Sequence, residues 1–321
     1  MRHLFNKYRT ILQCLSDGKY HSGNELGEIL ETSRTTIRKY INELISYGID
    51  IYTVRGKGYS LPYSVELLSE DYINQCTGGA STKLFDMIDS TNSYMLTYLD
   101  TFHKGSCILA ETQTKGVGRG GTSWISPFGS QILLSMYWEF NRSITGLSLA
   151  VGLSTVKVLE QMGIKGLGLK WPNDIYVNHK KLAGILIESK STPNNGFKVV
   201  VGTGINVVTS NSLSNHKDIS AITLDQVFDG KISRNELAVN LINEYRKLFS
   251  FFEKYGFSLL RSEWNSHDLF YGSEIKLIDK LTGKTIANGT ERGVNDIGSI
   301  IVENQKGMQE TFLIGDLSLR L

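Results

Sequence analysis

The sequence predicts an α+β protein of several domains, with a helical N-terminal head, a mixed α/β body and a β-rich tail. Three observations predict it. Amphipathic helical spacing dominates the first fifty residues; from about Ser81 strands broken by glycine turns alternate with helical stretches such as Leu147 to Met162 and Glu236 to Tyr255; from Leu269 only short alternating strands remain. The 321 residues fit two or three domains, and the expected divisions are 1–64, 65–268 and 269–321. With 40% hydrophobic and 21% charged residues, the chain falls outside the disordered, collagen-like and coiled-coil classes. No run approaches the roughly 18–20 apolar residues of a membrane helix, and Asn6, Lys7, Arg9 and Gln13 interrupt any signal-peptide core. Cys14, Cys76 and Cys107 form no CxxC pair, which fits a reducing compartment. A cytoplasmic protein without a membrane partner is expected.

The head is read first. Leu4, Tyr8, Ile11, Leu12 and Leu15 repeat at helical spacing up to Gly18. Ser22-Gly-Asn-Glu25 is a capping box that opens a short helix with Leu26, Ile29 and Leu30 inward. Ser33 then caps a longer helix whose buried stripe is Ile37, Ile41, Leu44 and Ile45. Thr36 stands in the first turn of that helix, and Arg34, Thr35, Arg38, Lys39 and Asn42 face out. Ile49 to Val54, the basic turn Arg55-Gly-Lys-Gly58 and Tyr59 to Leu61 make a hairpin. A short helix, a tight turn, a second helix with exposed polar residues and a basic hairpin make a winged helix-turn-helix. The charge agrees: residues 1–60 hold nine Lys/Arg against six Asp/Glu, whereas the remainder holds 25 against 26. The expected partner is operator DNA, with Lys39, Arg55 and Lys57 on phosphates and Arg34, Thr35 and Arg38 nearest base edges. A partner protein is the alternative reading of so small a helical domain.

The body carries the chemistry in four segments: Asp89-Ser-Thr-Asn92; the glycine loop from Glu111 to Trp124; Leu169-Lys-Trp-Pro-Asn-Asp174; and Lys180-Lys-Leu-Ala-Gly-Ile-Leu-Ile-Glu188 followed by Gly202-Thr-Gly-Ile-Asn206. Glycine lets backbone N–H groups approach phosphate oxygens. The loop is not a Walker A motif, because Thr122 stands where that motif needs Lys. A Rossmann fingerprint fails too, since Ile132 to Phe140 reads as a strand where that motif opens a helix. There is no HExxH or GxSxG, and the six histidines never reach metal-ligand spacing. The groups on offer are Lys, Arg, Asp and backbone amides, which suit electrostatic stabilisation of a phosphoryl or acyl-phosphate centre.

In their order, DSTN, Q-x-x-G-x-G-R-G-G-x-x-W-x-S-P-F-G, KWPND, KLAGILIE and GxGIN, behind a winged helix and before a β-rich tail, resemble the bifunctional biotin operon repressor and biotin-protein ligase family over essentially the whole chain. The resemblance implies a class II synthetase-like (biotin/lipoate ligase) body and an SH3-like β-barrel tail. It also implies two steps. Biotin and ATP form biotinyl-5′-AMP and pyrophosphate, with Mg²⁺ on the polyphosphate; a lysine of the biotin carboxyl carrier protein then takes the biotinyl group. Biotinyl-5′-AMP is the implied corepressor, acting through a homodimer on an inverted-repeat operator.

Carried over residue by residue, Ser90, Thr91 and Asn92 hold biotin, and Gln113, Gly116, Val117, Gly118 and Arg119 close over biotin and the adenylate link. Arg119 lies against the acyl-phosphate and Lys181 is the central cation. Gly184 leaves room for the ligand. Trp124 offers a face to adenine, Asn206 supports the phosphate side, and Asn173 and Asp174 of WPND orient the site or receive the incoming lysine. Best-studied members of the family carry several arginines in the loop, whereas Val117, Gly120, Thr122 and Ser123 leave only Arg119 here. Backbone contacts survive that change, so a leakier adenylate is expected. Two other functions stay open at this point: a lipoate-protein ligase, which shares the chemistry, and a ligand-sensing regulator without ligase activity.

Overall fold

The computed structural model describes residues 2–79, 81–193, 196–210, 221–313, 315 and 317–320. The head is three helices and a hairpin: α1 (Arg2–Leu15), α2 (Gly23–Ile29), α3 (Arg34–Ser46), β1 (Tyr52–Val54) and β2 (Gly58–Ser60). The capping box forms as the sequence predicts: Ser22 Oγ accepts from Glu25 N–H, and Glu25 reaches back to Ser22 N–H. Ser33 Oγ accepts from Thr36 N–H and caps α3. Tyr8, Ile11, Leu12, Leu15, Leu26, Ile37, Ile41 and Leu44 build the core of the head.

Two residues depart from the helical pattern, since Ile29 and Ile45 are 51% and 42% exposed. In a three-helix head each short helix has one covered flank, and Ile37, Ile41 and Leu44 complete the stripe of α3, leaving Ile45 a quarter-turn outside it. The side chain of Leu4, and Ile314 in the tail, lie outside the described residues.

The body holds α4 (Glu70–Cys76), β3 (Thr82–Phe85), α5 (Thr91–Thr97), β4 (Cys107–Ala110), β5 (Gln131–Phe140), α6 (Leu147–Gln161), β6 (Leu167–Lys170), β7 (Asp174–Val177), β8 (Lys180–Ser191), β9 (Phe197–Asn206), α7 (Arg234–Tyr255) and α8 (Arg261–Ser266). Its strands make a seven-stranded sheet in the order β3-β4-β5-β9-β8-β7-β6, in which β3 and β4 are parallel and the other pairs antiparallel. Strand β5 is buried along nearly its whole length because α6 and α7 cover one face of the sheet. The tail is a five-stranded antiparallel sheet, β13-β12-β11-β10-β14, built from β10 (Glu274–Asp279), β11 (Thr285–Val294), β12 (Ile300–Glu303), β13 (Gln309–Phe312) and β14 (Leu317–Arg320). Ile275, Leu277, Val294, Ile300 and Leu319 join the hydrophobic cluster of the body, so tail and body share one core.

The head meets the body at the end of the glycine loop. Phe128 is buried in the head's own cluster beside Val65, and Tyr63 Oη donates to Phe128 O at 3.0 Å. Arg9 pairs with Asp86 and donates to Leu68 O at 2.5 Å. Deeper in, Arg234, 1% exposed, bonds Glu111 Oε2 at 2.8 Å, Glu66 O at 2.7 Å and Gln131 O at 2.6 Å. Glu111 in turn accepts from Leu68 N–H at 2.6 Å. Paired with a carboxylate and donating to two backbone carbonyls, the arginine has the partners that make such burial tolerable.

Candidate active site

The far face of the seven-stranded sheet carries a cavity of about 710 Å³, within the usual range for a small-molecule site. Its floor is made of glycines, because side chains are needed elsewhere. A Cβ on Gly202 would meet Asn92 Oδ1 at 2.4 Å, and one on Gly204 would meet the Trp124 ring at 2.6 Å. Both glycines lie in β9, so the G-x-G spacing puts them on one face of the strand.

One wall is the N-terminus of α5. Ser90 caps the helix through Ser93 N–H and lines the cavity, and its own hydroxyl hydrogen can still donate. Thr91 N–H and Oγ1 donate to Gln113 Oε1 at 2.7 and 3.0 Å. Ser135 Oγ lies 2.7 Å from Thr91 Oγ1 and 2.6 Å from Asn92 Oδ1, while Asn92 Nδ2 donates to Glu188 Oε2 at 2.9 Å. Thr91 and Asn92 are therefore locked by partners from two strands, β5 and β8, and the glycine loop.

The glycine loop forms the roof. Gly118 N–H donates to Thr122 O at 2.7 Å, which folds the loop into a tight turn with positive φ at Gly120 and Gly121. Val117 and Gly118 line the cavity, but Gly116 does not reach it. Gly116 stands behind the wall, where its carbonyl accepts from Trp124 N–H and a Cβ would strike Trp124 O at 2.5 Å. Arg119 lines the mouth, yet its guanidinium donates outward to the tail, to Gly315 O at 2.5 Å and to Leu317 O. Arg119, which the motif assigns to the acyl-phosphate, thus lines the cavity while two of its donors bond the tail's backbone.

Lys181 reaches the cavity through a β-bulge. The register of β7 against β8 shifts, so that Ile175 faces Ala183 but Tyr176 faces Lys181, leaving Leu182 without a cross-strand partner. A regular strand would put residues three apart on opposite faces. Here Lys181 and Gly184 both line the cavity, while Leu182 and Ala183 are both buried in the core. Lys181 Nζ sits 2.6 Å from Asp174 Oδ1 and 5.5 Å from the centre of the Trp124 ring. Asn173, which also lines the cavity, donates through Nδ2 to Ile185 O at 2.7 Å and so clamps β8 beside the bulge.

Trp124 lies on the glycine floor, with Nε1 donating to Gln131 Oε1 at 3.1 Å. Gln131 Nε2 donates to Asn206 Oδ1 at 2.7 Å, and Asn206 Nδ2 to Lys181 O at 3.4 Å. Buried Gln131 and Asn206 therefore position the indole and the backbone of the central lysine. Trp171, by contrast, is a packing residue: it is 1% exposed and donates to Gly298 O of the tail at 3.1 Å.

The sequence motifs give no role to Gln131, Ser135, Lys170, Lys280 or Arg320, all of which the fold places in or beside the site. Lys170, Lys280 and Arg320 join Arg119 and Lys181 as cavity cations, against Asp174 as the lining carboxylate. Burial, with Arg320 and Lys181 close by, holds the Lys170 ammonium below the ordinary lysine range. Such a field selects a polyanion. Among the described residues no three His, Cys, Asp or Glu side chains come together to hold a metal.

At the other end of the chain, α3 presents Arg34, Thr35, Arg38, Lys39 and Asn42 outward, and Arg55 and Lys57 are exposed at the hairpin. Lys57 Nζ stands 5.7 Å from the centre of the Tyr20 ring. Thr36 is an exception to an outward-facing helix start, because its hydroxyl bonds Ser33 Oγ at 2.9 Å within the cap.

Together the fold and the site define a helix-turn-helix head joined to a body of the biotin and lipoate ligase type. The Biotin/lipoate A/B protein ligase family model matches residues 84–206, and the HTH domain model matches residues 7–60. The chain is 37% identical over 314 residues to the bifunctional ligase/repressor BirA of Salmonella typhimurium, covering 97% of each. It is 36% identical to that of Escherichia coli, covering 97% of this chain and 96% of the relative. Among solved structures, the biotin protein ligase of Aquifex aeolicus in complex with biotin and ATP superposes with a TM-score of 0.65 at 26% identity, covering 75% of this chain and 98% of that one. The chain belongs to the bifunctional ligase/repressor BirA family. Among the described residues no helix is long and apolar enough to cross a membrane.

Proposed function

We propose that this chain is a cytoplasmic biotin-protein ligase that also represses transcription, with the modules divided at 1–64, 65–268 and 269–321. The observation that carries the reading is the Lys181–Asp174 pair set between the α5 wall and the cationic mouth of one cavity. Biotin lies against Ser90, Thr91, Asn92 and Gln113, with its carboxylate toward Lys181, and ATP enters over Trp124 with Asn173 and Asn206 behind it. A carboxylate oxygen attacks the α-phosphorus, the bond to the β-phosphate oxygen breaks, and pyrophosphate leaves. Lys181 lies between the two anions and offsets their repulsion in a site partly closed to water. Bound to the polyphosphate, Mg²⁺ would neutralise part of its charge. In the second step a neutral lysine amine of the biotin carboxyl carrier protein attacks the acyl carbon, the bond to AMP breaks, and the amine gives up its proton. Asp174 orients that amine.

The same occupancy serves regulation. Phe128, four residues beyond the glycine loop, is buried in the core of the head, so a ligand that orders the loop also bears on the head. We place the DNA contacts on Arg34, Thr35, Arg38, Lys39 and Asn42 of α3, with Ser33 and Thr36 at its cap, and on Arg55 and Lys57 of the hairpin. One such helix reads a short site, so an operator requires a ligand-promoted homodimer.

Incubation with biotin, ATP and the carrier protein tests the enzyme: the carrier gains one biotinyl group on a lysine, and lipoate in place of biotin gives none. A gel shift tests the repressor: binding tightens with biotin plus ATP and weakens steeply with salt. A carrier modified by lipoate alone, or DNA binding indifferent to ligand, would overturn the corresponding half.

A further inference from the structure

We infer, on the DNA-binding reading of the head given above, that protonated His21 is a positioning residue for the DNA-binding hairpin, so that the head takes up a proton when it binds DNA. Both ring nitrogens of His21 face carboxylates: Nδ1 lies 2.8 Å from Glu25 Oε1, and Nε2 lies 3.0 Å from Asp17 Oδ1. A neutral imidazole carries one N–H and can satisfy only one of them, whereas the imidazolium donates to both. The surroundings of the ring are those of its charged form. Partial burial works against that charge, and the hydrogen bonds to Glu25 and Asp17 outweigh it, holding the pKa above the ordinary histidine value.

Three pieces of the head meet at this ring. Asp17 stands just past the end of α1, and Glu25 belongs to α2, where its other oxygen accepts from Ser22 N–H in the capping box. The backbone of His21 is itself a third strand of the hairpin: its N–H donates to Tyr59 O at 2.8 Å, and its carbonyl accepts from Tyr59 N–H at 2.9 Å. The approach is so close that a Cβ on Gly58 would lie 2.0 Å from His21 O. The basic turn that carries Arg55 and Lys57 therefore hangs on the segment that the ring anchors. Few other charged or titratable groups surround it. Lys19 N–H bonds Asp17 Oδ1, the Arg34 stem packs against Gly23, and burial, then the charges of Glu25 and Asp17, push the Cys14 thiol up and keep it neutral. Loss of the proton leaves one carboxylate without its donor and takes the Asp17–His21–Glu25 group from a net charge of −1 to −2, counting one charge for each side chain. Both changes oppose a phosphate at the hairpin. Because the pKa is raised, the brace is complete below the ordinary histidine value and is lost as pH climbs through the raised one. Linkage makes the effect mutual: DNA that prefers the charged ring raises its pKa further.

The test uses the full chain and a fluorescein-labelled, mixed-sequence duplex of about four helical turns at low salt, where phosphate contacts dominate binding. In fluorescence anisotropy the wild-type affinity falls about five- to tenfold between about pH 6 and pH 8.5, within the limit set by uptake of one proton. His21→Gln, which carries no charge, holds the weaker value throughout, and His21→Arg, which keeps the charge, holds the tighter one. A second measurement needs no variant to bind DNA: in wild-type chain isotope-labelled at histidine Cε1, the NMR signal that His21→Gln removes titrates at a higher pH once the duplex is added. Equal pH dependence in the wild type and His21→Gln, a His21→Arg as weak as His21→Gln, or a His21 titration that the duplex does not move overturns the role of His21 and leaves the DNA-binding reading intact. A wild type that binds the duplex at neither pH overturns the DNA-binding reading and this inference with it.

Discussion

Lys181 Nζ stands 2.6 Å from Asp174 Oδ1, and a β-bulge at Leu182 is what lets the lysine share the cavity face with Gly184. The carboxylate holds the ammonium at one point instead of leaving a four-carbon chain to wander. Asp174→Asn keeps the size but loses the charge. It is expected to lower kcat for adenylate formation by roughly ten- to a hundredfold, with little change in KM for ATP. Single-turnover formation of the adenylate measures it, and a wild-type rate would detach the pair from the chemistry.

Gly204 is one of two floor positions that tolerate no side chain, because a Cβ there would lie 2.6 Å from the Trp124 ring. Gly204→Ala displaces the indole and strains its bond to Gln131. The expected result is a weaker grip on the adenylate at a stability cost of about 1–3 kcal/mol. Tryptophan fluorescence and equilibrium binding of biotinyl-5′-AMP report it; unchanged affinity would place the indole outside the binding surface.

Much of this architecture was legible in the residues. Ser22 and Ser33 announced their caps, the glycine pattern announced a loop that could approach a ligand, and the KWPND and KLAGIL segments meet as the β7–β8 pair. What stayed hidden was long-range. Arg234 looks like an ordinary helix-start residue until Glu111, 123 positions away in sequence, closes on it in the core. Lys280 reads as a surface turn, and β14 as a ragged terminus, until the tail sheet folds onto the cavity. Arg119 shows the same long-range effect: the motif marks where its backbone runs, whereas its bonds to Gly315 O and Leu317 O depend on the tail.

The Arg234–Glu111 pair yields a stability prediction. Both side chains are almost wholly buried, so Arg234→Ala leaves a carboxylate uncompensated in the core and two carbonyls without donors. A loss of about 3–5 kcal/mol is expected in denaturant unfolding. A loss below about 1 kcal/mol would mean that water reaches the site in solution.

The tail junction adds a pH dependence. Burial first, then the hydrogen bond and charge of Asp268, push the carboxyl of fully buried Glu291 far above the ordinary range; burial raises Asp268 as well. A raised folded-state pKa means that the stabilising contribution is fully present below the ordinary carboxylate pKa and is lost as pH climbs through the raised value. Glu291→Gln should therefore raise Tm at pH 8 relative to the parent and change it little at pH 4. Parallel melting curves across that range check the sign, and equal shifts at both ends would show that ionisation is not involved.

The central claim is that Lys181 joins a biotin carboxylate to the α-phosphate of ATP, and ATP–pyrophosphate exchange measures that step alone. The account predicts exchange that requires biotin, is not supported by lipoate, and falls by about a hundredfold or more in Lys181→Ala while the variant keeps its fold. Exchange driven by lipoate, exchange with neither acid, or a Lys181→Ala variant as active as the parent would contradict it.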